Sequence, residues 1–327
     1  MARSGASPAA RAERFVWLTA RVLEQRRFAF HFLGGSADAV EAALTAYRGD
    51  DGGYGHALEP DLRGPVSQPL HTAHALRVLD EIGRCGDRGV ERVCRYLTAV
   101  STPDGALPAL HPAPRDCAPA PWLPVPDEPL PAPAPPVGEA TGSLLTTGPV
   151  VGLLHRNEVW HAWLFRATDF CWEAVESLCA GTRIHPYEVR AAVDFLDGVP
   201  DRPRAEAAAE RLGRVVREQG IAAPAPAAGA ARHRADGPTA GGPHFPHDFA
   251  RTPASLARGW FTDAELERSL DFLAGSQEED GGWPARPYGP RYPDHDRRAW
   301  APGTAAERRP IATIAALLTL RAHGHDL

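Results

Sequence analysis

Apolar residues along the chain recur at helical spacing. Over residues 11–32, Phe15, Leu18, Val22 and Leu23 fall three or four apart, which predicts a first helix ended by Gly34-Gly35. Ser36 or Asp38 then offers an N-cap for a helix over 38–48. Residues 68–84 carry Leu70, Ala73, Leu76, Leu79 and Ile82 on one stripe. The same periodicity predicts helices over 88–100, 144–156, 160–178, 186–198, 203–218, 263–276 and 310–322. Alternating strands are absent, so the expected fold class is all-α.

Proline marks what is not helical. Of 33 prolines, 13 fall in 103–136, which reads as a long Pro-rich insertion extending over 103–141. Residues 219–243 are rich in Ala, Gly and Pro and read as a flexible linker. Residues 284–303 form a third irregular stretch, and Pro69, Pro149 and Pro186 are read as preceding helices.

One pattern recurs without gaps. It is Phe272-Leu273-x3-Gln277-x2-Asp280-Gly281-Gly282-Trp283-Pro284, with matching copies at Tyr96-Leu97-x3-Ser101-x2-Asp104-Gly105-Ala106-Leu107-Pro108 and Ala43-Leu44-x3-Arg48-x2-Asp51-Gly52-Gly53-Tyr54. In each copy an amphipathic helix ends, an Asp-Gly turn follows, and a second helix starts downstream. The glycine takes positive φ, and the Gln277 amide is placed to bond backbone groups at a neighbouring helix end. Repeated hairpins of this kind bury their apolar faces only against one another.

Gln277…Gly281-Gly282-Trp283 resembles the QW motif of the terpenoid cyclase and protein prenyltransferase superfamily, of which the squalene cyclases are members. The stretches 55–63 and 164–172 are similar to an actinobacterial branch of it. The resemblance implies a single α/α-toroid domain over 1–327, of about ten helices with long Pro-rich insertions. It also implies a central cavity for a small, largely apolar ligand, an isoprenoid among the candidates, and an activity of the cyclase or prenyltransferase kind. The Asp-x-Asp-Asp acid of the class II cyclases is missing from this chain. The alternatives are a non-catalytic toroid serving as a binding or scaffold module, and a carboxylate-dependent carbohydrate-active α/α barrel.

Composition narrows the chemistry. All 35 basic side chains are arginine, so lysine Schiff bases and the phosphate-loop lysine are excluded. A net charge of −6 gives no footprint for nucleic acid. No apolar run is long enough to span a bilayer, and the N-terminus has no signal-peptide core; a cytoplasmic protein with free thiols is expected.

The densest polar constellation is the first repeat loop. Asp50, His56, Glu59 and Asp61, with His71 on the next helix, are the candidate acid/base groups, and Asp50, Glu59 and Asp61 could equally hold a divalent cation such as Mg²⁺. Arg63 is the candidate for holding an anion, and His74, Tyr54, Tyr292 and Trp300 are the other ligand-binding candidates. His71 and His74 are three apart and share a helix face. The bland readings are a turn-capping role for Asp51, Asp104 and Asp280, and a salt bridge from Glu59 or Asp61 to Arg63 or another arginine. Two further polar clusters lie at 244–251 and 288–300. Residues 56–63, 109–136 and 285–303 are expected to roof one mouth of the ring.

Overall fold

The computed structural model describes residues 6–87, 89–108, 118–119, 142–181, 184–226, 243–285 and 302–327. The protein is all-α. Its helices are α1 (Pro8–Thr19), α2 (Val22–Phe32), α3 (Ala37–Thr45), α4 (Pro69–Glu81), α5 (Gly89–Val100), α6 (Leu144–Arg156), α7 (Ala162–Ala180), α8 (Pro186–Gly198), α9 (Arg202–Glu218), the short α10 (Pro246–Phe249), α11 (Asp263–Gly275) and α12 (Pro302–Ala322). A 3-10 turn spans Leu256–Trp260, and the two-residue strands β1 (Leu62–Arg63) and β2 (Ala118–Pro119) form one antiparallel pair.

Helix starts follow local chemistry. Ser7 caps α1 ahead of Pro8, His185 and Glu188 form a reciprocal capping box on α8, and Thr262 and Glu265 do the same on α11. Several boundaries differ from expectation, the largest at α12, which starts at Pro302 instead of 310 and takes Pro310 inside it. The first predicted helix is two helices, because Ala20 and Arg21 are extended (ψ 154° and 161°). Neither residue is a helix breaker; the Gln25 amide holds the corner by donating to the Trp17 and Ala20 carbonyls. Pro149 does not precede α6 but sits inside it, where α6 does without one helical hydrogen bond.

The chain forms two compact units. One contains α4 to α9 with β1 and β2. Within it, α4, α6 and α8 touch in series, and so do α5, α7 and α9, while α4 touches α5, α6 touches α7 and α8 touches α9. This is an inner row and an outer row of helices. The inner helices are buried nearly all round: every residue of α6 from Leu144 to Leu154 is buried. The α6–α8 contact is made at backbone distance through Gly148, Gly152, Ala191 and Gly198; a Cβ at Gly148 would stand 2.6 Å from the Ala191 carbonyl oxygen. The outer row is more exposed. On α7, Trp163 is buried and donates to the Gly105 carbonyl at 3.0 Å, and Trp172 meets Phe195 of α8 edge-on at 4.9 Å with the Arg204 guanidinium above it. Trp172 thus packs between the two rows, and Trp163 fastens α7 to the second repeat turn.

The other unit contains α1, α2, most of α3, and α10 to α12. In it α12 packs on α11, α1 and α2, and α1 packs on α2.

The three repeat turns share one hydrogen-bond plan. Gly52, Gly105 and Gly281 have φ of +90°, +88° and +94°. The amide of the third residue before each glycine donates to the carbonyl of the residue after it: Gly49 to Gly53, Thr102 to Ala106, Glu278 to Gly282. The carboxylates of Asp51, Asp104 and Asp280 accept the amides of Gly53, Ala106 and Gly282. The turn-capping reading of these three aspartates is therefore correct. The next amide in each copy, of Tyr54, Leu107 or Trp283, donates to a threonine hydroxyl on the following helix: Thr72 (3.1 Å), Thr147 (2.8 Å) or Thr313 (2.9 Å). Each hydroxyl in turn donates to the carbonyl four residues back.

Each turn glycine also lies against the backbone of another helix, at Arg92 on α5, Arg166 on α7 and Arg11 on α1. After the third turn, α1 thus takes the place that α5 and α7 take after the first two. Gln277 fastens this last junction. Its amide donates to the Pro8 and Gly281 carbonyls at 2.9 Å and accepts from the Arg11 guanidinium.

Candidate functional site

The loop that leads from the first turn into α4 folds as two tight turns. In Gly55–Leu58 the Leu58 amide donates to the Gly55 carbonyl at 3.0 Å, and both central residues have positive φ, His56 at 53° and Ala57 at 58°. Positive φ at two successive non-glycine residues is a strained choice, and for alanine an uncommon one. In Glu59–Leu62 the Leu62 amide donates to the Glu59 carbonyl at 3.2 Å, with Pro60 preset for the turn. Leu58 and Leu62 are buried as the loop's anchors. Gly55 is required because its Cα faces the Val66 carbonyl, which a Cβ would meet at 2.5 Å.

These two turns carry Glu59 and Asp61 inward. Both are buried, as are His71 and His74 on the first turns of α4. Nδ1 of His74 lies 2.8 Å from Oε1 of Glu59. Glu59 also acts electrostatically on His71. Burial outweighs that attraction and lowers the His71 pKa from 6.5 to about 4, so its imidazole is neutral at physiological pH. Neither His71 nitrogen completes a hydrogen bond of ordinary geometry, although the Gly55 and Leu62 carbonyls lie close to the ring. Those carbonyls belong to the first and last residues of the paired turns, so His71 underlies both ends of the loop.

The structure therefore brings together three of the sequence candidates, Glu59, His71 and His74, while Asp61 is buried on the same loop. Asp50, His56 and Arg63 are exposed, with His56 at the tip of the strained turn and Arg63 on the outward side of β1. Glu59 pairs with a histidine that the salt-bridge reading had not matched to it. Tyr54 is buried at the turn position that Leu107 and Trp283 occupy in the other copies. Tyr292 and Trp300 lie outside the described residues, as does Cys117. Sequence reasoning missed Thr72, which receives the Tyr54 amide; threonine at a variable distance after the turn leaves no fixed spacing to find.

Of the expected roof, the described residues show one backbone link. Leu62 pairs with Pro119 and Arg63 with Ala118, so the Pro-rich insertion is tied by backbone to the loop that carries Glu59. Residues 286–301 lie outside the described residues. In the second polar cluster, His247 Nδ1 lies 2.6 Å from the Ser269 hydroxyl, and both groups are buried on α10 and α11. Cys85, Cys94, Cys171 and Cys179 are free thiols; burial raises the Cys85 and Cys94 pKa to about 12 and about 11. Among the described residues, no three His, Cys, Asp or Glu side chains are arranged to hold a metal ion. No helix of the described residues is long and apolar enough to cross a membrane.

No family model and no curated protein matches the chain. A solved structure of a protein from Actinoplanes is similar in fold, with a TM-score of 0.53 and 19% sequence identity over 96% of this chain and 88% of that one. At that identity the likeness speaks for the fold alone, so the helical architecture is shared while the chemistry must be argued from Glu59, His71 and His74.

Proposed function

We propose that the protein is an α/α toroid of the terpenoid cyclase and protein prenyltransferase kind, which binds a small, largely apolar ligand, an isoprenoid among the candidates, and handles a proton at Glu59 and His74. The fold half of this reading is supported by the three equivalent turns and by the inner and outer helix rows. The placing of α1 after α12 is what a ring of hairpins requires. The site half is carried by one observation: the buried Glu59–His74 contact at the start of an inner helix, under a strained turn.

Acid/base work needs a carboxylate and an imidazole in hydrogen-bond contact and shielded from water. With the Asp-x-Asp-Asp acid missing, Glu59 is the carboxyl that His74 can orient, and the neutral His71 beside them resists protonation and so leaves the proton to that pair. A second reading, a non-catalytic binding or scaffold module, draws support from the burial of every α6 residue from Leu144 to Leu154, which fills the inner row with side chains.

Native mass spectrometry of the protein purified from its host decides between the two. A retained apolar ligand, or turnover of squalene, a prenyl alcohol or a prenyl diphosphate with Mg²⁺ that Glu59→Gln abolishes, is the expected result. An empty protein inert towards all three leaves the scaffold reading.

A further inference from the structure

Six large apolar side chains of the described chain are exposed, and four come from α1, α2 and their ends: Trp17 (40% exposed), Leu18 (73%), Val22 (59%) and Leu33 (47%). The other two, Trp160 and Phe165, stand at the start of α7 in the other unit. The four on α1 and α2 are gathered on one helix pair.

Their setting is specific. The Gln25 side chain locks the corner between the helices, and Trp17, Leu18 and Val22 all lie at that corner. Along α2, Val22, Arg26, Ala29 and Leu33 recur at helical spacing on the outward side; along α1, Arg14 leads to Trp17 and Leu18. Arg14 and Arg26 are exposed, whereas Glu24 is buried against Arg21 and Glu13 is only partly exposed. Residues 8–33 hold five arginines and two glutamates in a chain whose net charge is −6. The outer face of this helix pair is thus apolar and cationic.

We propose that the α1–α2 corner docks on the surface of an anionic lipid bilayer. Leu18, Val22 and Trp17 would enter the headgroup boundary, and Arg14 and Arg26 would meet the lipid phosphates. Tryptophan and leucine flanked by arginine are the side chains an interfacial helix uses. A second copy of the chain is a poorer occupant, because a two-fold contact would set the same arginines against one another. This inference stands apart from the Glu59 site.

Flotation of the full-length protein with vesicles tests it. Binding is expected to vesicles of phosphatidylcholine mixed with phosphatidylglycerol, to weaken with salt, and to be much weaker with phosphatidylcholine alone. Leu18→Asp with Val22→Asp is expected to lower it by about tenfold or more, and Arg14→Glu with Arg26→Glu to remove the preference for the anionic lipid. All four positions are exposed, and an unchanged melting temperature confirms that the variants fold. Failure of the wild-type protein to float with anionic vesicles overturns the proposal. So does equal binding by the Asp variant, or a concentration-dependent dimer that this variant abolishes.

Discussion

His74 Nδ1 meets Glu59 Oε1 at 2.8 Å, with both residues buried, one on an inner helix and the other on the loop before it. The contact ties the two turns of residues 55–62 to α4. His74→Ala leaves a buried carboxylate without this partner and is expected to cost about 3 kcal/mol in urea unfolding. A cost of a few tenths would mean that the contact holds nothing.

His71 makes stability depend on acid. Its folded pKa is about 4, below the unfolded value of 6.5, because burial penalises the imidazolium. Between those pH values the unfolded chain binds the extra proton, so stability is full above pH 6.5 and falls as the pH drops towards 4. The loss is about 3 kcal/mol. His71→Phe should flatten the curve of unfolding free energy over that window; an unchanged acid slope would show that other groups cause it.

The strain in the 55–58 turn is removable. Ala57→Gly keeps the positive φ at little steric cost and is expected to stabilise the protein by about 1 kcal/mol, read as a higher melting temperature. If the strained turn serves the Glu59 site, ligand binding or turnover falls in the same variant.

Equivalent turns should respond alike. Thr72→Val, Thr147→Val and Thr313→Val each strand the amide of Tyr54, Leu107 or Trp283 beneath the turn, at about 1–3 kcal/mol apiece. Unequal costs, with one near zero, would show that the copies share geometry without sharing its energetics.

Gly281→Ala adds a Cβ against the Arg11 carbonyl at a φ of +94° and should cost about 2 kcal/mol or more. Gly275→Ala, at the end of α11 with nothing near its Cα, should instead be neutral or stabilising by about 0.5 kcal/mol. Comparing the two melting temperatures separates the turn requirement from the general effect of glycine.

The sequence by itself determined the helical class, most helix boundaries and the turn repeat. These rest on local rules: a 3.6-residue apolar period, a cap or proline at a helix start, and an Asp-Gly turn. It also placed Glu59, Asp61, His71 and His74 in one short, polar stretch. Only the tertiary structure decided which of that stretch is buried. Arg63 and His56 lie as near to Glu59 in sequence as His74 is far, yet they face outward, because two successive turns reverse the chain and β1 pairs with β2. The break between α1 and α2 was hidden for a similar reason: it is held by the Gln25 side chain reaching back to two carbonyls, not by a helix-breaking residue. The threonine under each turn was hidden because 18, 40 or 30 residues separate it from the amide it accepts. Contacts made through space follow the packing of helices, which no fixed spacing along the chain records.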